Sequence, residues 1–249
     1  MTRTPYPRTA LFLASATTLG GASLQAAPPL PPPLADLSAP MQASVQLRGT
    51  GVQMLELADR MVYIAGNGRY VFTGAAWDLW HGERLESVAQ ASALAGRIDL
   101  SRMPLDPAKL GAFTAGRPHA ETPAAHQDKA PLWVFVDPLC VECAMLLGKL
   151  DQVGAAAHVV LLPASGDKSL DIAQRLLCAP SETTAWTALR DQDFSDLPEP
   201  TPECDTQRLV RVLITGRLLG ITAVPTLIAP DGRLHQGAPA DLTAWLAGE

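Results

Sequence analysis

The sequence has no cysteine before position 140, although four follow, at positions 140, 143, 178 and 204. It also lacks an excess of basic residues, since 19 Lys and Arg stand against 25 Asp and Glu, for a net charge of −6. Nucleic-acid-binding proteins depend on basic patches, so this balance argues against a nucleic-acid partner. Beyond the N-terminus, no apolar run is long enough to cross a membrane. The five histidines show no spacing typical of a metal site.

The N-terminus has the features of an export signal. Arg3 and Arg8 precede the uncharged apolar stretch Ala10–Leu19, and small residues follow up to Ala27. The stretch is too short to span a bilayer comfortably, so residues 1–27 are predicted to be a cleaved signal peptide, with a retained anchor as the alternative. Residues 28–42 form a proline-rich lead-in. The mature chain is therefore expected in an oxidising compartment, where disulfides persist.

Two domains are predicted beyond the lead-in. In the first, residues 43–82, strands at 60–65 and 69–74 flank a Gly66-Asn67-Gly68 turn, and a third strand is expected at 76–80. A sheet this thin needs a helix or a second copy of itself as cover, so dimerisation is expected. Residues 83–130 are predicted to be a linker, with a helix over 83–100 and a loop near its end. Residues 131–249 alternate strand and helix signals, which indicates an α/β domain with a mixed sheet.

Cys140-Val141-Glu142-Cys143 stands between an apolar strand, 132–136, and an amphipathic helix. A cysteine at a helix N-terminus faces unpaired backbone N–H groups and the positive end of the helix dipole, which favour the reactive thiolate. A second cysteine one turn further along can close a small disulfide. Cys140 is predicted to be the attacking thiolate and Cys143 the resolving thiol. The alternative is a structural bridge that is never reduced.

The four cysteines allow three pairings, and the close spacing of Cys140 and Cys143 favours one of them. Cys178 and Cys204 would then form a structural disulfide. A four-cysteine zinc site is the competing interpretation, although zinc ribbons usually carry two close CxxC pairs and the second pair here is widely split.

The order of elements resembles the thioredoxin fold, and more closely the bacterial periplasmic disulfide isomerases of the DsbC/DsbG family. This resemblance spans roughly residues 45–249. Four segments carry it: the CxxC entry at 135–140, the helical insert at 176–186, the return to Val224-Pro225-Thr226, and the strand pair at 63–74. It implies an α/β thioredoxin-like domain with a helical insertion, preceded by a small α+β, cystatin-like dimerisation domain and a linker helix.

The resemblance also implies roles for individual residues. Pro225 would be a cis-proline opposite the CxxC, leaving the backbone of Val224 free to pair with an extended substrate strand. Val224 and Thr226 are therefore the predicted substrate-binding residues.

The central dipeptide, Val141-Glu142, departs from the family's Gly-Tyr or Pro-Tyr and is predicted to tune the redox chemistry. The carboxylate of Glu142 opposes formation of the neighbouring thiolate, so a less oxidising site is expected. Glu142 is equally well explained as a solvated acid at a helix start. For Asp137, a role in the turn before Pro138 is favoured over a role as buried proton acceptor.

By resemblance, the chain is expected to be a periplasmic thiol-disulfide isomerase or reductase with chaperone activity and no metal or organic cofactor. Its expected partners are misfolded disulfide-containing exported proteins, a membrane thiol reductant of the DsbD kind, and a second copy in a homodimer. The alternatives are a dedicated reductase for one client or for a secretion or conjugation apparatus, and a redox-inert chaperone or assembly module.

Overall fold

The computed structural model of the chain describes residues 39–66, 68–115 and 130–248. The predicted signal peptide, most of the lead-in, the central residue of the Gly66–Gly68 turn and most of the predicted loop before Pro131 lie outside these residues. The first described strand begins at Met41, within the range predicted as lead-in. None of the helices in the described ranges is both long enough and apolar enough to span a lipid bilayer.

The N-terminal part is a four-stranded antiparallel sheet, a two-stranded hairpin and one helix. In chain order its elements are β1 Met41–Leu47, β2 Val52–Leu57, β3 Met61–Ala65, β4 Tyr70–Thr73, β5 Ala76–Asp78, β6 Glu83–Leu85 and α1 Val88–Ala95. The sheet runs in the order β1-β2-β3-β4, and α1 packs on it through a core that contains Met54, Tyr63, Leu85, Val88 and Ala91. The helix supplies the cover that such a thin sheet needs.

The predicted helix over 83–100 is only half right. Residues 83–85 form β6, which pairs antiparallel with β5, and α1 begins after Ser87, whose side chain accepts a hydrogen bond from the N–H of Gln90. The helix ends before Gly96. The apolar spacing that suggested one long helix is equally met by Leu85 in a strand followed by a shorter helix.

The C-terminal part is built on a five-stranded mixed sheet. Its elements are α2 Pro107–Leu110, β7 Phe113–Ala115, β8 Leu132–Val136, α3 Val141–Val153, β9 Ala157–Leu161, α4 Asp167–Leu177, α5 Glu182–Asp191, α6 Gln207–Leu218, β10 Thr226–Ile228, β11 Leu234–Gln236 and α7 Leu242–Ala247. The strand order is β11-β10-β8-β9-β7, in which only the β8–β9 pair is parallel.

The central strand β8 is apolar throughout because both of its faces are covered. Val134 and Val136 face a core that α3 and the helical insert complete, whereas Trp133 and Phe135 face a second core that contains Val212 of α6. A strand buried on both sides reads as a continuous apolar run, which is why it could be recognised in the sequence. This sheet, with α4 and α5 inserted between β9 and β10, is a thioredoxin-like fold with a helical insertion.

Backbone pairing joins the segment after α1 to the C-terminal sheet. The N–H of Ile98 donates to the carbonyl of Gly232 at 2.7 Å, and the N–H of Leu234 donates to the carbonyl of Gly96 at 2.8 Å. Gly232 has a φ of +84°, and a Cβ there would lie 2.1 Å from the Ile98 oxygen. The described residues from Ala39 onward accordingly form one compact unit. The boundaries predicted between dimerisation domain, linker and catalytic domain stay predictions.

Candidate functional site

Cys140 caps the N-terminus of α3, directly after the turn that ends β8. Its Sγ accepts a hydrogen bond from the N–H of Cys143 at 3.1 Å, and the two residues are joined in a disulfide with their Cα atoms 5.2 Å apart. Cys140 is partly exposed, whereas Cys143 is fully buried. Only the first sulfur can therefore be approached from solvent. After reduction, the same N–H group and the helix dipole stabilise a thiolate on Cys140.

Asp137 lies fully buried beneath the CxxC turn and accepts four hydrogen bonds. Oδ1 accepts from the N–H of Leu139 at 2.7 Å, while Oδ2 accepts from the N–H groups of Ala164 and Ser165 and from the hydroxyl of Ser169, at 2.6 to 2.8 Å. Burial alone would raise the pKa of this carboxyl, but the hydrogen bonds outweigh it and hold the pKa below its ordinary value. The carboxylate fixes the turn before Cys140 to the loop after β9.

A second anchor of this turn, Gln192, was not predicted from the sequence. Its Nε2 donates to the carbonyl of Pro138 at 2.9 Å and to that of Leu189 at 2.8 Å. Gln192 ends α5 with a φ of +56°, a left-handed conformation more usual for Gly or Asn. The helical insert thus holds the backbone two residues before Cys140. No sequence signal marks this contact, because the two residues lie 54 positions apart.

The loop before β10 lies against the first cysteine. The Val224–Pro225 peptide bond is cis, and the carbonyl oxygen of Val224 lies 3.9 Å from the Sγ of Cys140. Val224 is partly exposed beside the sulfur. Thr226 is fully buried, and its hydroxyl donates to the carbonyl of Ala223 at 2.6 Å, so its side chain supports the loop from inside. The substrate-binding roles given to Val224 and Thr226 stay predictions.

Gln236 of β11 holds the same loop from the other side and was also missed. Its Oε1 accepts hydrogen bonds from the N–H and hydroxyl of Thr222 and from the N–H of Ala223, at 2.9 to 3.0 Å, and its Nε2 donates to Gly220 at 3.1 Å. One partly buried amide therefore satisfies several backbone groups of an otherwise irregular segment. The loop that carries Pro225 is positioned by β11 as well as by β10.

Two large apolar side chains and one acid are exposed on the first turns of α3, next to Cys140. Val141 is 65% exposed and Met145, one turn further along α3, is 60% exposed. Glu142 is exposed and is the acidic residue of the first turn of α3. The site combines an accessible sulfur, a buried partner sulfur, a free carbonyl at Val224 and an apolar margin, which together suit an extended, partly apolar protein segment.

The second disulfide has a different setting. Cys178 follows the last turn of α4, Cys204 stands in the turn before α6, and their Cα atoms are 5.8 Å apart. The bridge fastens the end of α4 to the segment that leads into α6. With both pairs closed, none of the four cysteines is a free thiol. Within the described ranges no group of three or more His, Cys, Asp or Glu side chains could hold a metal ion.

No protein-family model matches the chain, and no curated protein matches it. Solved structures do match. A disulfide interchange protein from Neisseria gonorrhoeae is 23% identical over 58% of this chain and 97% of its own, with a TM-score of 0.47. DsbG of Helicobacter pylori is 16% identical over 76% of this chain and 92% of its own, with a TM-score of 0.35. The thiol-disulfide exchange protein alpha-DsbA2 of Wolbachia pipientis is 17% identical over 66% and 97%, with a TM-score of 0.45.

The thioredoxin-like architecture of this chain is established by its own strand order, by the CxxC at the start of α3 and by the proline loop before β10.

Proposed function

We propose that this chain is a thiol-disulfide oxidoreductase that rearranges or reduces wrong disulfides in exported proteins. The observation that carries the proposal is the accessible Sγ of Cys140, which receives the N–H of Cys143 at the start of α3 and lies 3.9 Å from the Val224 carbonyl. A helix N-terminus stabilises the attacking thiolate, and the adjacent loop presents a backbone group to an extended client.

The reaction begins with Cys140 as thiolate and Cys143 as thiol. The Cys140 thiolate attacks one sulfur of a client disulfide, a mixed disulfide forms, and the other client sulfur leaves as a thiolate. If a client thiolate then attacks the client sulfur of the mixed disulfide, the client bond is rearranged and Cys140 is released unchanged. If Cys143 loses its proton and attacks Cys140 instead, the client leaves reduced and the Cys140–Cys143 disulfide forms.

The second route consumes two electrons, so it requires a thiol reductant that reopens the disulfide. In an exported protein that reductant would be a membrane donor of the DsbD kind, and the compartment would be the periplasm. Both belong to the proposal, together with clients that carry non-native disulfides.

Homodimerisation is also proposed, through the N-terminal sheet. The outer strand β4 has no further strand paired to it within the described ranges, and its Tyr70 and Phe72 side chains are exposed. Unpaired strand edges with exposed aromatic residues favour pairing with another chain. Sedimentation of the mature protein at micromolar concentration tests this: a dimer supports it, and a monomer rejects it.

The function is tested by refolding a scrambled multi-disulfide client with the reduced mature protein, beside its Cys140→Ser and Cys143→Ser variants. Recovery of native client that is lost in Cys140→Ser is the expected result. A client that ends reduced but not native would identify a reductase instead. Equal results for wild type and Cys140→Ser would reject the redox function and favour a redox-inert chaperone or assembly module.

A further inference from the structure

A second concave site lies away from the cysteines, between the β5–β6 hairpin and the C-terminal end of α6. It encloses about 510 Å³, a volume in the range of small-molecule pockets. None of the residues of the CxxC turn or of the Val224–Thr226 loop lines it. The proposed redox reaction therefore gives this cavity no role.

The walls of the cavity are apolar and unusually exposed. Trp77 and Leu79 approach from the hairpin, and Leu79 is 80% exposed. Ile214 and Leu218, 56% and 58% exposed, approach from α6. Because these two residues are one turn apart on the helix, they form a continuous apolar strip opposite the tryptophan. Large apolar side chains gathered at one exposed concavity are typical of a binding site.

The charged groups of the cavity are mostly cationic. Arg48, Arg97 and Arg217 line it, whereas the acid among its lining residues, Asp78, already contacts the ring of His81 at 3.0 Å. Arg97 donates to the carbonyl of Asp231. An anion bound in the cavity would therefore meet more unpaired positive charge than negative charge.

Arg48 is the residue that most clearly lacks a partner. Its Nε and Nη1 atoms are buried and have no hydrogen-bond partner within the described part of the chain. Its stem is held against the backbone at Gly220, where an added Cβ would lie 2.1 Å from the Cγ of Arg48. The Arg48 side chain as a whole is partly buried. N–H groups without an acceptor are costly, and a carboxylate is the acceptor that best matches a guanidinium.

We propose that this cavity binds a small amphiphile with a carboxylate head and an apolar chain, such as a fatty acid. The carboxylate pairs with Arg48, and the chain lies between the hairpin residues Trp77 and Leu79 and the α6 residues Ile214 and Leu218. The charge of the lining selects an acid over a neutral or cationic amphiphile, and the exposed apolar walls supply the remaining contact.

The test is a calorimetric titration of the disulfide-intact mature protein with decanoate, decanol and decyltrimethylammonium, each below the concentration at which it aggregates. Wild type is expected to bind decanoate at least about tenfold more tightly than decanol, which is what a hydrogen bond to a charged group contributes. The cationic amphiphile should bind most weakly. Arg48→Met should bind decanoate and decanol equally, and Arg48→Lys should retain part of the preference.

Two variants of α6 locate the site. Ile214→Gln should weaken decanoate and decanol alike, whereas Val210→Gln, an exposed residue of the same helix that does not line the cavity, should change neither. Equal affinity of wild type for decanoate and decanol would overturn the proposal, as would equal weakening by the two α6 variants. A third result would also overturn the proposal: wild type binds none of the amphiphiles but self-associates, and Ile214→Gln abolishes the self-association. That result would identify a second copy of the chain as the occupant of the cavity.

Discussion

The chain carries two disulfides, and they stand at opposite ends of their helices. Cys140 precedes the first residue of α3, and the N–H of Cys143 points at its sulfur. Cys178 follows the last residue of α4, among carbonyl groups that carry the negative end of the helix dipole. The first position stabilises a thiolate and the second does not. Because the thiolate is both the attacking and the leaving species in exchange, the two bonds are suited to different tasks.

The residues around the two disulfides also differ. Around Cys140, Asp137 and Gln192 fix the turn from below, Gln236 fixes the proline loop, and the sulfur remains accessible. At the second bridge, the covalent bond between Cys178 and Cys204 itself joins two segments 26 positions apart. We propose that the first region holds the Cys140–Cys143 bond ready for exchange, whereas the Cys178–Cys204 bond stabilises the fold.

The strongest test of this contrast is to open each pair in turn, by removing Cys140 from the first pair and both cysteines from the second. Cys140→Ser should abolish exchange with a client disulfide, because no other accessible thiolate is present at a helix N-terminus. Cys178→Ser with Cys204→Ser should leave the exchange rate of the folded protein unchanged. Rates with a scrambled client measure both. Loss of activity in a folded Cys178/Cys204 variant would contradict the division of tasks.

The Cys178→Ser, Cys204→Ser double variant should have a lower free energy of unfolding than wild type. Removing a disulfide that closes a loop of this length destabilises a protein by about 2–4 kcal/mol, since the unfolded chain gains freedom. Urea denaturation of the oxidised protein at neutral pH measures this difference. Cys140→Ser with Cys143→Ser is the matched control, because it opens a far shorter loop and should cost less. Equal losses for the two double variants would show that the second bridge is not the structural one.

Asp137→Asn should cost roughly 2–3 kcal/mol at neutral pH, because the amide replaces a buried charged acceptor of four hydrogen bonds. The pKa of Asp137 is lowered by folding, so its contribution is present above the pKa of the unfolded chain, near 4, and is lost as pH falls through the folded pKa. The gap between wild type and variant should therefore narrow below about pH 4.

Urea denaturation at neutral and acidic pH measures this gap, with Asp193→Asn on the surface as control. The exposed carboxylate of Asp193 accepts from the N–H and the hydroxyl of the nearby Ser195, so its substitution should change little. A gap that stays constant with pH would contradict the role given to the Asp137 carboxylate.

The smallest expected effect concerns Gln192. Gln192→Gly keeps the left-handed conformation but removes both hydrogen bonds, so stability should fall by about 1 kcal/mol and exchange by Cys140 should slow a few-fold. Gln192→Ala should be less stable than Gln192→Gly, because its Cβ strains the positive φ. Client-exchange rates and denaturation together separate the two effects. An unchanged exchange rate in Gln192→Gly would show that the insert does not position the CxxC turn.

The thioredoxin-like part of the fold was predictable because its signals are local. A strand buried on both faces is a continuous apolar run, as in β8. The N-terminal sheet was harder to predict. β1 alternates apolar and polar residues over Met41–Leu47, a pattern typical of a strand, yet β1 and β2 were not recognised as strands.

Some residues of the candidate site could be predicted from the sequence, and others could not. Cys140 and Cys143 follow from a four-residue motif in its context, and Pro225 follows from a resemblance. Gln192 and Gln236 could not be found, because each acts on backbone groups distant in sequence that only the fold brings near. Hydrogen bonds from side chain to remote backbone leave no periodicity and no motif, although they decide how firmly the reactive turn is held.

The most direct test of the contrast is a redox titration of the mature protein. Samples are equilibrated at defined potentials, the thiols are alkylated at neutral pH, and the modified cysteines are mapped by mass spectrometry. The Cys140–Cys143 pair should open at a clearly less reducing potential than Cys178–Cys204, and Cys140 should be the first thiol modified. Opening of Cys178–Cys204 first, or of both pairs together, would contradict the account.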